Sequence, residues 1–279
     1  MTVTFTVTQA QRLRELGAAP AVAETAFPTA TERDEAFRRH ERELVGAARR
    51  QLEELRAGPR TPRLRQLEGS LREALTGIGL VEVVTPAIIS AEALAGMGIG
   101  AGDPLRDQVY WVEAGRCLRP MLAPGLYTLL RRLGRLWPRP FGIFEVGSCF
   151  RRDTRGSRHL SEFTMLNLVE LGTGLEARES RLRELAAAIM HAADIVDYRF
   201  ETVSSEIYGE TTDIVAGDGI EVCSTAVGPL PLDDNWGVTE PWVGLGFGLE
   251  RLLQAREGHD GIERVARSTS YLDGVRLNL

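Results

Sequence analysis

Lysine is absent from this 279-residue sequence, because all 33 of its basic residues are arginine. Enzymes that bind nucleotides through a P-loop are therefore excluded, since that motif depends on a lysine. Cysteine is also scarce, and the scattered Cys117, Cys149 and Cys223 predict neither a disulfide framework nor a zinc site. Their small number favours a reducing, cytoplasmic location. No apolar run reaches about 18 residues, so no membrane span is predicted. The first residues also lack the charged segment and apolar core of a secretory signal.

The charge balance is acidic overall, with a net charge of −6. This value argues against a protein that binds nucleic acid through a globally basic surface. Hydrophobic residues make up 43% of the chain, which at this length is enough to bury a large core. We therefore expect one large domain, with or without an appendage.

Residues 141–171 alternate apolar side chains with small or polar ones in two stretches separated by a charged loop. This alternation predicts two half-buried antiparallel strands. The loop suits either a solvated surface hairpin or the binding of an anion by guanidinium groups. Asn167 favours the second interpretation, because a polar side chain on an otherwise apolar strand face needs a partner from protein or ligand. The charged side chains of the loop are Arg151, Arg152, Asp153, Arg155, Arg158 and His159.

The N-terminal residues 1–58 predict a helical arm. A short helix over 8–17, with Thr8 as its N-cap, precedes a long helix over 31–56. The long helix is dense in Arg and Glu, so it is either a solvent-exposed helix with i,i+4 ion pairs or a surface that contacts an RNA backbone. The segment Pro-Arg-Thr-Pro that follows is a hinge, which places a second domain at 59–279.

The remaining chain predicts a mixture of helices and strands. We expect helices at 62–77, from Ala123 onwards and at 178–196, strands at 80–84, 198–203 and 220–231, and loops at 96–104 and 204–217. Residues 241–256 predict a strand that runs into a helix. Glycines recur at every second position of that strand, so their bare backbones share one face, where a flat ring would fit. These glycines are Gly244, Gly246 and Gly248.

Several of these segments resemble the class II aminoacyl-tRNA synthetases. The strand end FRRD followed by HLSEFTMLN resembles motif 2 of that class, and GLGFGLERL resembles motif 3. EFTMLN, LRPMLAP and the C-terminal RVARSTSYLDGVRLNL resemble the pyrrolysyl-tRNA synthetases, in the form that has the catalytic domain without a separate N-terminal RNA-binding domain. The resemblance implies an α+β fold, in which an antiparallel sheet of the class II type is flanked by helices and preceded by the helical arm. It also implies a homodimer, built through the helix–strand segment that ends at Pro86.

The resemblance further implies ATP-dependent ligation of L-pyrrolysine to its cognate tRNA through an aminoacyl-adenylate, with Mg²⁺ as cofactor. The arm would contact the tRNA, and Arg151 and Arg251 would be the catalytic residues. The implied ATP-binding residues are Arg151, Asp153, His159, Leu160, Phe163, Glu221, Ser224 and Arg251. The implied Mg²⁺ ligands are Glu221 and Ser224, with phosphates supplying the rest. The implied amino-acid pocket consists of Ala123, Leu126, Tyr127, Leu130, Met165, Asn167, Val169, Tyr208, Ala226, Trp242 and Gly244.

Two alternatives stay open. A synthetase-like protein could adenylate or sense an amino acid without charging a tRNA, and a tRNA acylation assay would separate the two. A nucleic-acid-binding module could use the arginine-rich arm alone, and ATP–pyrophosphate exchange activity would exclude it. The sequence departs from the usual pattern of the family at Gly125, Asp153, Val169 and Ala226, which changes the expected shape of the pocket rather than the reaction.

Overall fold

The computed structural model describes residues 2–152, 160–205, 209–259 and 261–279. In chain order, the strands are β1 (Val3–Thr4), β2 (Ala26–Phe27), β3 (Val81–Glu82), β4 (Ile88–Ser90), β5 (Trp111–Glu113), β6 (Arg116–Leu118), β7 (Phe141–Phe150), β8 (Glu162–Leu171), β9 (Tyr198–Ser205), β10 (Gly209–Ala216), β11 (Ile220–Gly228), β12 (Trp242–Gly248), β13 (Tyr271–Leu272) and β14 (Val275–Arg276). The α-helices are α1 (Val7–Leu16), α2 (Pro20–Ala23), α3 (Ala30–Arg56), α4 (Arg63–Gly77), α5 (Ala91–Gly96), α6 (Ala123–Leu133), α7 (Arg178–Ala192) and α8 (Leu249–Glu257). Short 3-10 helices cover Pro104–Gln108, Leu175–Ala177, Pro231–Trp236 and Ile262–Arg264.

The chain forms two compact units. The first contains Met1–Pro62 together with Ser268–Leu279, and the second contains Arg63–Arg267. The C-terminal segment therefore groups with the N-terminal arm, whereas the sequence pattern assigns it to the second domain. That the arm contacts tRNA stays a prediction.

In the first unit, α1 begins one residue earlier than predicted and has a different cap. The Thr6 side chain accepts a hydrogen bond from the Gln9 backbone N–H at 3.2 Å, and the Gln9 side chain accepts one from the Thr6 N–H at 3.0 Å. This reciprocal pair is a capping box, which satisfies two backbone donors, so Thr8 lies inside the helix and the prediction of Thr8 as the cap is wrong. The long helix α3 starts after Thr29, whose side chain accepts from the Glu32 N–H.

The C-terminal residues pack within this first unit. Arg276 forms an ion pair with Glu15 at 3.2 Å, and an Arg12 nitrogen donates to the backbone carbonyl of Asn278 at 2.7 Å. The first unit therefore has contacts of its own between the two ends of the chain. Its small apolar core consists of Phe5, Ala10, Leu13, Ala23 and Ala36.

The second unit is built on a seven-stranded sheet in the order β3-β7-β8-β12-β11-β10-β9. β3 is parallel to β7, and the other neighbours are antiparallel. The α+β fold with a helix-flanked antiparallel sheet is thereby confirmed. The predicted hairpin of β7 and β8 is also confirmed over ten residues of each strand.

Both faces of this sheet are covered, more completely than half-buried strands would require. α4, α7 and α8 pack on one face around a core that includes Phe144, Leu166 and Phe247. α6 and the 3-10 helix Pro231–Trp236 lie against the other face, around a second core with Tyr127 and Trp242. The candidate site occupies this second face, because there the packing leaves cavities.

Most predicted helices are confirmed within a few residues. α4 starts at Arg63, and α6 starts at Ala123 with Pro124 in its first turn, where proline has no hydrogen bond to lose. α7 ends at Ala192 rather than at 196, and Asp194 then takes a φ of 59°, which no α-helix continues. The predicted strand and helix at 241–256 correspond to β12 and α8.

Residues 204–217 are predicted as a loop, and this prediction is wrong for Gly209–Ala216, which form β10. β10 pairs with β9 on one side and with β11 on the other. Ile214 and Ala216 are fully buried in the large core, while Thr211 and Asp213 occupy the alternate positions and are also buried. The polar residues on one face of β10 led to the prediction of a loop, although protein rather than water covers that face.

Residues 96–104 are predicted as a flexible surface loop, and most of them do form a loop, but this loop is not wholly at the surface. Met97 and Ile99 are fully buried in two neighbouring cores. Gly98 and Gly102 have positive φ values of 85° and 88°, which glycine adopts without strain. The alternate glycines therefore serve tight turns that let the apolar side chains between them enter the core.

The C-terminal end of α8 contains a cluster of charges around Glu257. Its carboxylate accepts from His259 at 2.9 Å and from Arg256 at 3.3 Å, and it pairs with Arg63. Burial works to raise the pKa of Glu257, but these hydrogen bonds and charges outweigh it and lower the pKa from 4.5 to about 2. The cluster joins the end of α8 to the start of α4.

Candidate active site

Two adjoining cavities lie on the second face of the sheet, over the glycines of β12. The more polar of the two, called the polar compartment, has a volume of about 320 Å³, and the mainly apolar one, called the apolar compartment, has a volume of about 280 Å³. Arg151, Met165, Ser224 and Gly246 line both. The cavities are therefore two compartments of one site, and Arg151 stands where they meet.

The floor of the site is the part of β12 where Gly244, Gly246 and Gly248 face the cavities. Gly246 pairs with Asn167 on one side and with Ser224 on the other. A Cβ atom added to Gly246 would lie 3.0 Å from the Asn167 amide nitrogen, and one added to Gly244 would lie 3.0 Å from the Trp242 ring. Glycine is thus needed at these positions, because a larger residue would push the lining side chains away.

The polar compartment holds two arginines from different elements. The Nε of Arg151, just after β7, donates to the Pro120 carbonyl at 2.9 Å, and its guanidinium carbon lies 5.3 Å from the centre of the Phe163 ring. Arg251, in the first turn of α8, donates to the Glu221 carbonyl at 3.1 Å and lies 3.2 Å from the Glu221 carboxylate. The compartment therefore presents two cations and one half-exposed carboxylate to a ligand.

Glu250 joins α8 to β8 directly beside Arg251. Its two carboxylate oxygens accept from the Thr164 N–H at 3.0 and 2.9 Å, and one also accepts from the Thr164 hydroxyl at 2.9 Å. Burial raises the pKa of the Glu250 carboxyl, while the hydrogen bonds from Thr164 lower it in part. The buried glutamate of this sequence motif is thus an anchor that fixes the start of α8, and with it Arg251.

A buried ion pair lies next to the residue that holds Arg151. Arg119 and Glu145 meet at 2.7 Å and are almost fully buried. Glu145 also accepts from the Thr85 N–H at 3.1 Å and from its hydroxyl at 2.7 Å. The residue after Arg119, Pro120, supplies the carbonyl that holds Arg151. Truncating one member of such a pair would leave a buried charge without its partner.

Gly125, one of the departures from the family's pattern, faces the same network. A Cβ atom at this position would lie 2.3 Å from the Thr85 hydroxyl oxygen. A larger residue would displace Thr85 from Glu145, so glycine fits this arrangement. The sequence pattern alone gave no such reason.

Asp213 is an acidic residue next to the site that the sequence interpretation missed. It lies opposite Ser224 on β10, is 8% exposed, and has one carboxylate oxygen without a hydrogen-bond partner. Burial raises the pKa of the Asp213 carboxyl, the hydrogen bond with Ser224 lowers it, and the nearby Glu221 raises it. The alternation in the stretch TTDIVA was the signal that could have found it.

Every described residue predicted for the amino-acid pocket lines the apolar compartment. The Asn167 side-chain oxygen is buried and has no hydrogen-bond partner there, so the amide is available to a ligand. Among the described residues that line this compartment, no side chain is acidic and Arg151 alone is ionised. The lining residues predicted from the sequence are Ala123, Leu126, Tyr127, Leu130, Met165, Asn167, Val169, Ala226, Trp242 and Gly244.

The other predicted residues divide into those that line the polar compartment, one that does not, and three outside the described residues. Leu160, Phe163, Glu221 and Ser224 line the polar compartment with the two arginines. Arg152 does not: its guanidinium carbon lies 5.2 Å from the Tyr110 ring centre, and its N–H donates to a backbone carbonyl. That all of these residues bind ATP stays a prediction. Three further predicted residues, Asp153, His159 and Tyr208, lie outside the described residues.

Comparison with known proteins gives a consistent result. A family model described as "Phenylalanyl tRNA synthetase beta chain CLM domain" matches residues 51–221, which is more than half of the chain. The crystal structure of pyrrolysyl-tRNA synthetase from Desulfitobacterium hafniense is 50% identical, with a TM-score of 0.94 and full coverage of both chains. A second structure of a pyrrolysyl tRNA synthetase from that organism is also 50% identical, with a TM-score of 0.92, covering all of this chain and 99% of the other.

Curated relatives match at lower identity. The O-phosphoserine--tRNA(Cys) ligase of Methanococcus vannielii is 24% identical over 220 residues, which cover 74% of this chain and 40% of the relative. The histidine--tRNA ligase of Metallosphaera sedula is 27% identical over 114 residues, which cover 39% of this chain and 26% of the relative. The chain thus spans less than half the length of these two relatives.

The antiparallel sheet with its site over a glycine strand, together with the synthetase matches, places this chain among the class II aminoacyl-tRNA synthetases. Identity of 50% over the whole length decides the family. The chain belongs to the pyrrolysyl-tRNA synthetase family, and the resemblance seen in its sequence is confirmed.

Proposed function

We propose that the protein ligates L-pyrrolysine to its cognate tRNA, with ATP as the energy source and an aminoacyl-adenylate as the intermediate. The observation that carries the proposal is the pair of compartments that meet at Arg151, one polar and one apolar. Adenylate formation joins a charged nucleotide to an amino acid, so it needs two adjoining sites that hold the carboxylate next to the α-phosphate, and a cation between them reduces their repulsion. The membership of the family supports the same conclusion.

In the first step, a carboxylate oxygen of the amino acid attacks the α-phosphorus of ATP, and pyrophosphate leaves with the electrons of the broken bond. Phosphoryl transfer of this kind depends on alignment and charge stabilisation rather than on a protein nucleophile. Arg151 is the residue that can hold both anions, because it lines both compartments. Arg251 and Phe163 line the polar compartment and would flank the adenine ring.

A magnesium ion fits the polar compartment. Glu221 and Ser224 offer a carboxylate and a hydroxyl, which are the hard oxygen donors that Mg²⁺ prefers. Among the described residues, no three His, Cys, Asp or Glu side chains are grouped closely enough to hold a metal by themselves. A site with so few protein ligands suits Mg²⁺ bound with nucleotide phosphates, where the ion would neutralise phosphate charge. Asp213 would orient Ser224, since a hydroxyl that donates to a carboxylate turns its lone pairs outward.

The apolar compartment favours a long, uncharged side chain. An unmodified lysine would bury its ammonium there without an acid to pair with, and such burial is costly. Acylation of the lysine nitrogen removes that charge and creates an amide. The Asn167 side-chain amide can donate a hydrogen bond to the carbonyl of this amide. Rejection of lysine then rests on desolvation, and preference for pyrrolysine rests on this hydrogen bond.

Two further parts of the proposal concern partners. The edge strand β3 and the chain after it expose apolar side chains, at 45% for Val81, 86% for Val84 and 49% for Ile88, and an apolar sheet edge suits a second copy of the chain. The long helix α3 exposes Arg39, Arg49 and Arg50, which suit the phosphates of a tRNA. No helix in the described part of the chain has both the length and the apolarity that crossing a bilayer demands.

ATP–pyrophosphate exchange with a panel of amino acids tests the activation step. The panel contains pyrrolysine, lysine, phenylalanine, histidine and O-phosphoserine, so it covers the substrates named by the relatives. We expect exchange with pyrrolysine and little with the others. Exchange that favours lysine or phenylalanine would refute the assignment of the pocket, although the synthetase class would stand. Exchange without transfer to tRNA would indicate a protein that adenylates but charges no tRNA.

A further inference from the structure

A fully buried carboxylate lies behind the apolar compartment. Asp233, in the 3-10 helix Pro231–Trp236, is 1% exposed. One of its oxygens accepts from the Tyr127 hydroxyl at 2.7 Å. The other accepts from the Trp242 indole N–H and from the Leu230 backbone N–H, each at 2.7 Å. The two N–H bonds are at the short end of the usual range, and the O–H bond has the usual length.

This carboxylate connects two walls of the compartment that come from different elements. Tyr127 belongs to α6 and Trp242 to β12, and their rings meet edge to face with centres 6.1 Å apart. Each ring has one polar atom, and both polar atoms end on Asp233. Because an aromatic ring with its polar atom fixed can no longer rotate freely, the single carboxylate sets the orientation of both walls.

The backbone beside Trp242 leaves room for the indole to reach Asp233. A Cβ atom at Gly228 would lie 1.8 Å from the Trp242 indole nitrogen, so the indole passes directly over that glycine. The space is thus left free for the indole N–H to reach Asp233. On the other side, the Tyr127 ring stacks on Trp236 at 5.3 Å, within the same segment that carries Asp233.

Asp233 itself does not line either compartment, and the rings seal it from them. It therefore acts on a ligand through Tyr127 and Trp242 rather than by touching it. Removing the Asp233 carboxylate would take away the hydrogen bonds that hold the two ring donors and the Leu230 N–H. The rings would then turn to find other acceptors, and the far wall of the compartment would lose its shape.

We propose that Asp233 is a positioning residue that sets the depth of the amino-acid compartment, and thereby the length of side chain that the enzyme accepts. The inference deepens the proposed function, because it takes the amino acid to be the occupant of this compartment. It assigns Asp233 no part in ATP binding. The site of the nucleotide lies in the other compartment, so the two substrates should respond differently to a change at this position.

The test uses the full chain with three substitutions at or beside this position. Asp233→Leu replaces the carboxylate by an apolar group of similar shape and removes every acceptor. Asp233→Asn is the conservative variant, since its oxygen can accept from Trp242 while its amide N–H donates to the Tyr127 oxygen. Asp234→Asn is the matched control, because Asp234 is the exposed acid next in the chain.

In ATP–pyrophosphate exchange, Asp233→Leu should raise the KM for pyrrolysine by about tenfold or more while the KM for ATP changes less than about twofold. Asp233→Asn should restore most of the affinity, and Asp234→Asn should match the wild type. A variant that is only less stable would instead lower the active fraction, and so kcat, for both substrates alike. If Asp233→Leu does not fold, Tyr127→Phe removes one of the bonds and should give a smaller rise in the same KM.

A second readout does not depend on catalysis. Acrylamide quenching of tryptophan emission should increase in Asp233→Leu, in the component that Trp242→Phe removes. Unchanged quenching and an unchanged KM for the amino acid would overturn the proposal, as would an equal rise in both KM values. Absence of exchange with every amino acid in the wild type would refute the proposed function instead, while quenching would still decide whether Asp233 positions Trp242.

Discussion

The substitution Asn167→Ala distinguishes two roles that a buried polar residue can have, namely stabilising the fold and binding a ligand. If the amide were part of the structural framework, its removal would destabilise the fold. Its oxygen is instead buried without a partner, so it imposes a desolvation cost of about 1–3 kcal/mol that only a ligand can offset. The side chain faces an existing cavity, so truncation creates little new void. We therefore expect the ligand-free variant to be as stable as the wild type, or more stable by about 1 kcal/mol.

The same change should weaken activation of the amino acid. A neutral hydrogen bond contributes about 0.5–1.5 kcal/mol, which corresponds to a fall of roughly two- to tenfold in kcat/KM for pyrrolysine. Bulkier aromatic amino acids should gain, because the truncation removes a polar group and opens volume. Activity is measured by pyrophosphate exchange, and stability by thermal unfolding, where 1 kcal/mol shifts Tm by about 2–4 °C.

Asn278→Ala is the matched control, because Asn278 is an exposed asparagine of the other unit. Neither its unfolding temperature nor its exchange rate should move. A loss of more than about 2 kcal/mol of stability in Asn167→Ala would refute the reasoning, since it would show that the amide holds the fold together.

Three further predictions follow from charged residues. Arg151→Ala should slow pyrophosphate exchange, because it removes about 2.7–4 kcal/mol of transition-state stabilisation. Arg151→Lys should not restore the rate, because the point charge of lysine cannot hold two anions as the forked guanidinium group does. An exchange rate of Arg151→Ala within about threefold of the wild type would reject the catalytic role of Arg151. Glu257 has a pKa of about 2 instead of 4.5, so it should stabilise the fold by up to about 3 kcal/mol above pH 4.5 and lose this as the pH falls towards 2. Denaturation of Glu257→Gln across that range checks it, and a deficit that does not shrink at low pH would contradict it. Replacing Arg39, Arg49 and Arg50 by Gln should reduce tRNA charging and its salt dependence but spare exchange; equal losses in both assays would mean that α3 is merely structural.

Local patterns made much of this fold predictable. The hairpin of β7 and β8 and the glycine strand β12 carry a strict two-residue alternation, which fixes both their type and the face of each side chain. The predicted lining of the amino-acid compartment follows from that register, since Asn167 and Val169 share a face with their glycine partners on β12. The sequence motifs then indicated the chemistry of the site, which the alternation of side chains cannot indicate.

Interactions between distant positions escaped prediction. Tyr127 and Asp233 are 106 residues apart, and no pattern near either of them indicates their hydrogen bond. The ion pair of Arg119 with Glu145 could not be predicted either, because its importance comes from its burial and not from the spacing of the two residues in the sequence. β10 was misread for a related reason: Asp213 lies in a strand whose polar face is covered by protein, while sequence patterns associate polar residues with water.

The proposed ligation of pyrrolysine to tRNA is tested most directly by measuring transfer of the amino acid to the tRNA. The full chain is incubated with ATP, Mg²⁺, pyrrolysine and total tRNA from the organism that encodes it, and the amino acid released from the tRNA by mild base is identified by mass. We expect ATP-dependent attachment of pyrrolysine, and no attachment of lysine supplied at the same concentration. Attachment of lysine in preference, or adenylate formation with no amino acid on the tRNA, would contradict it.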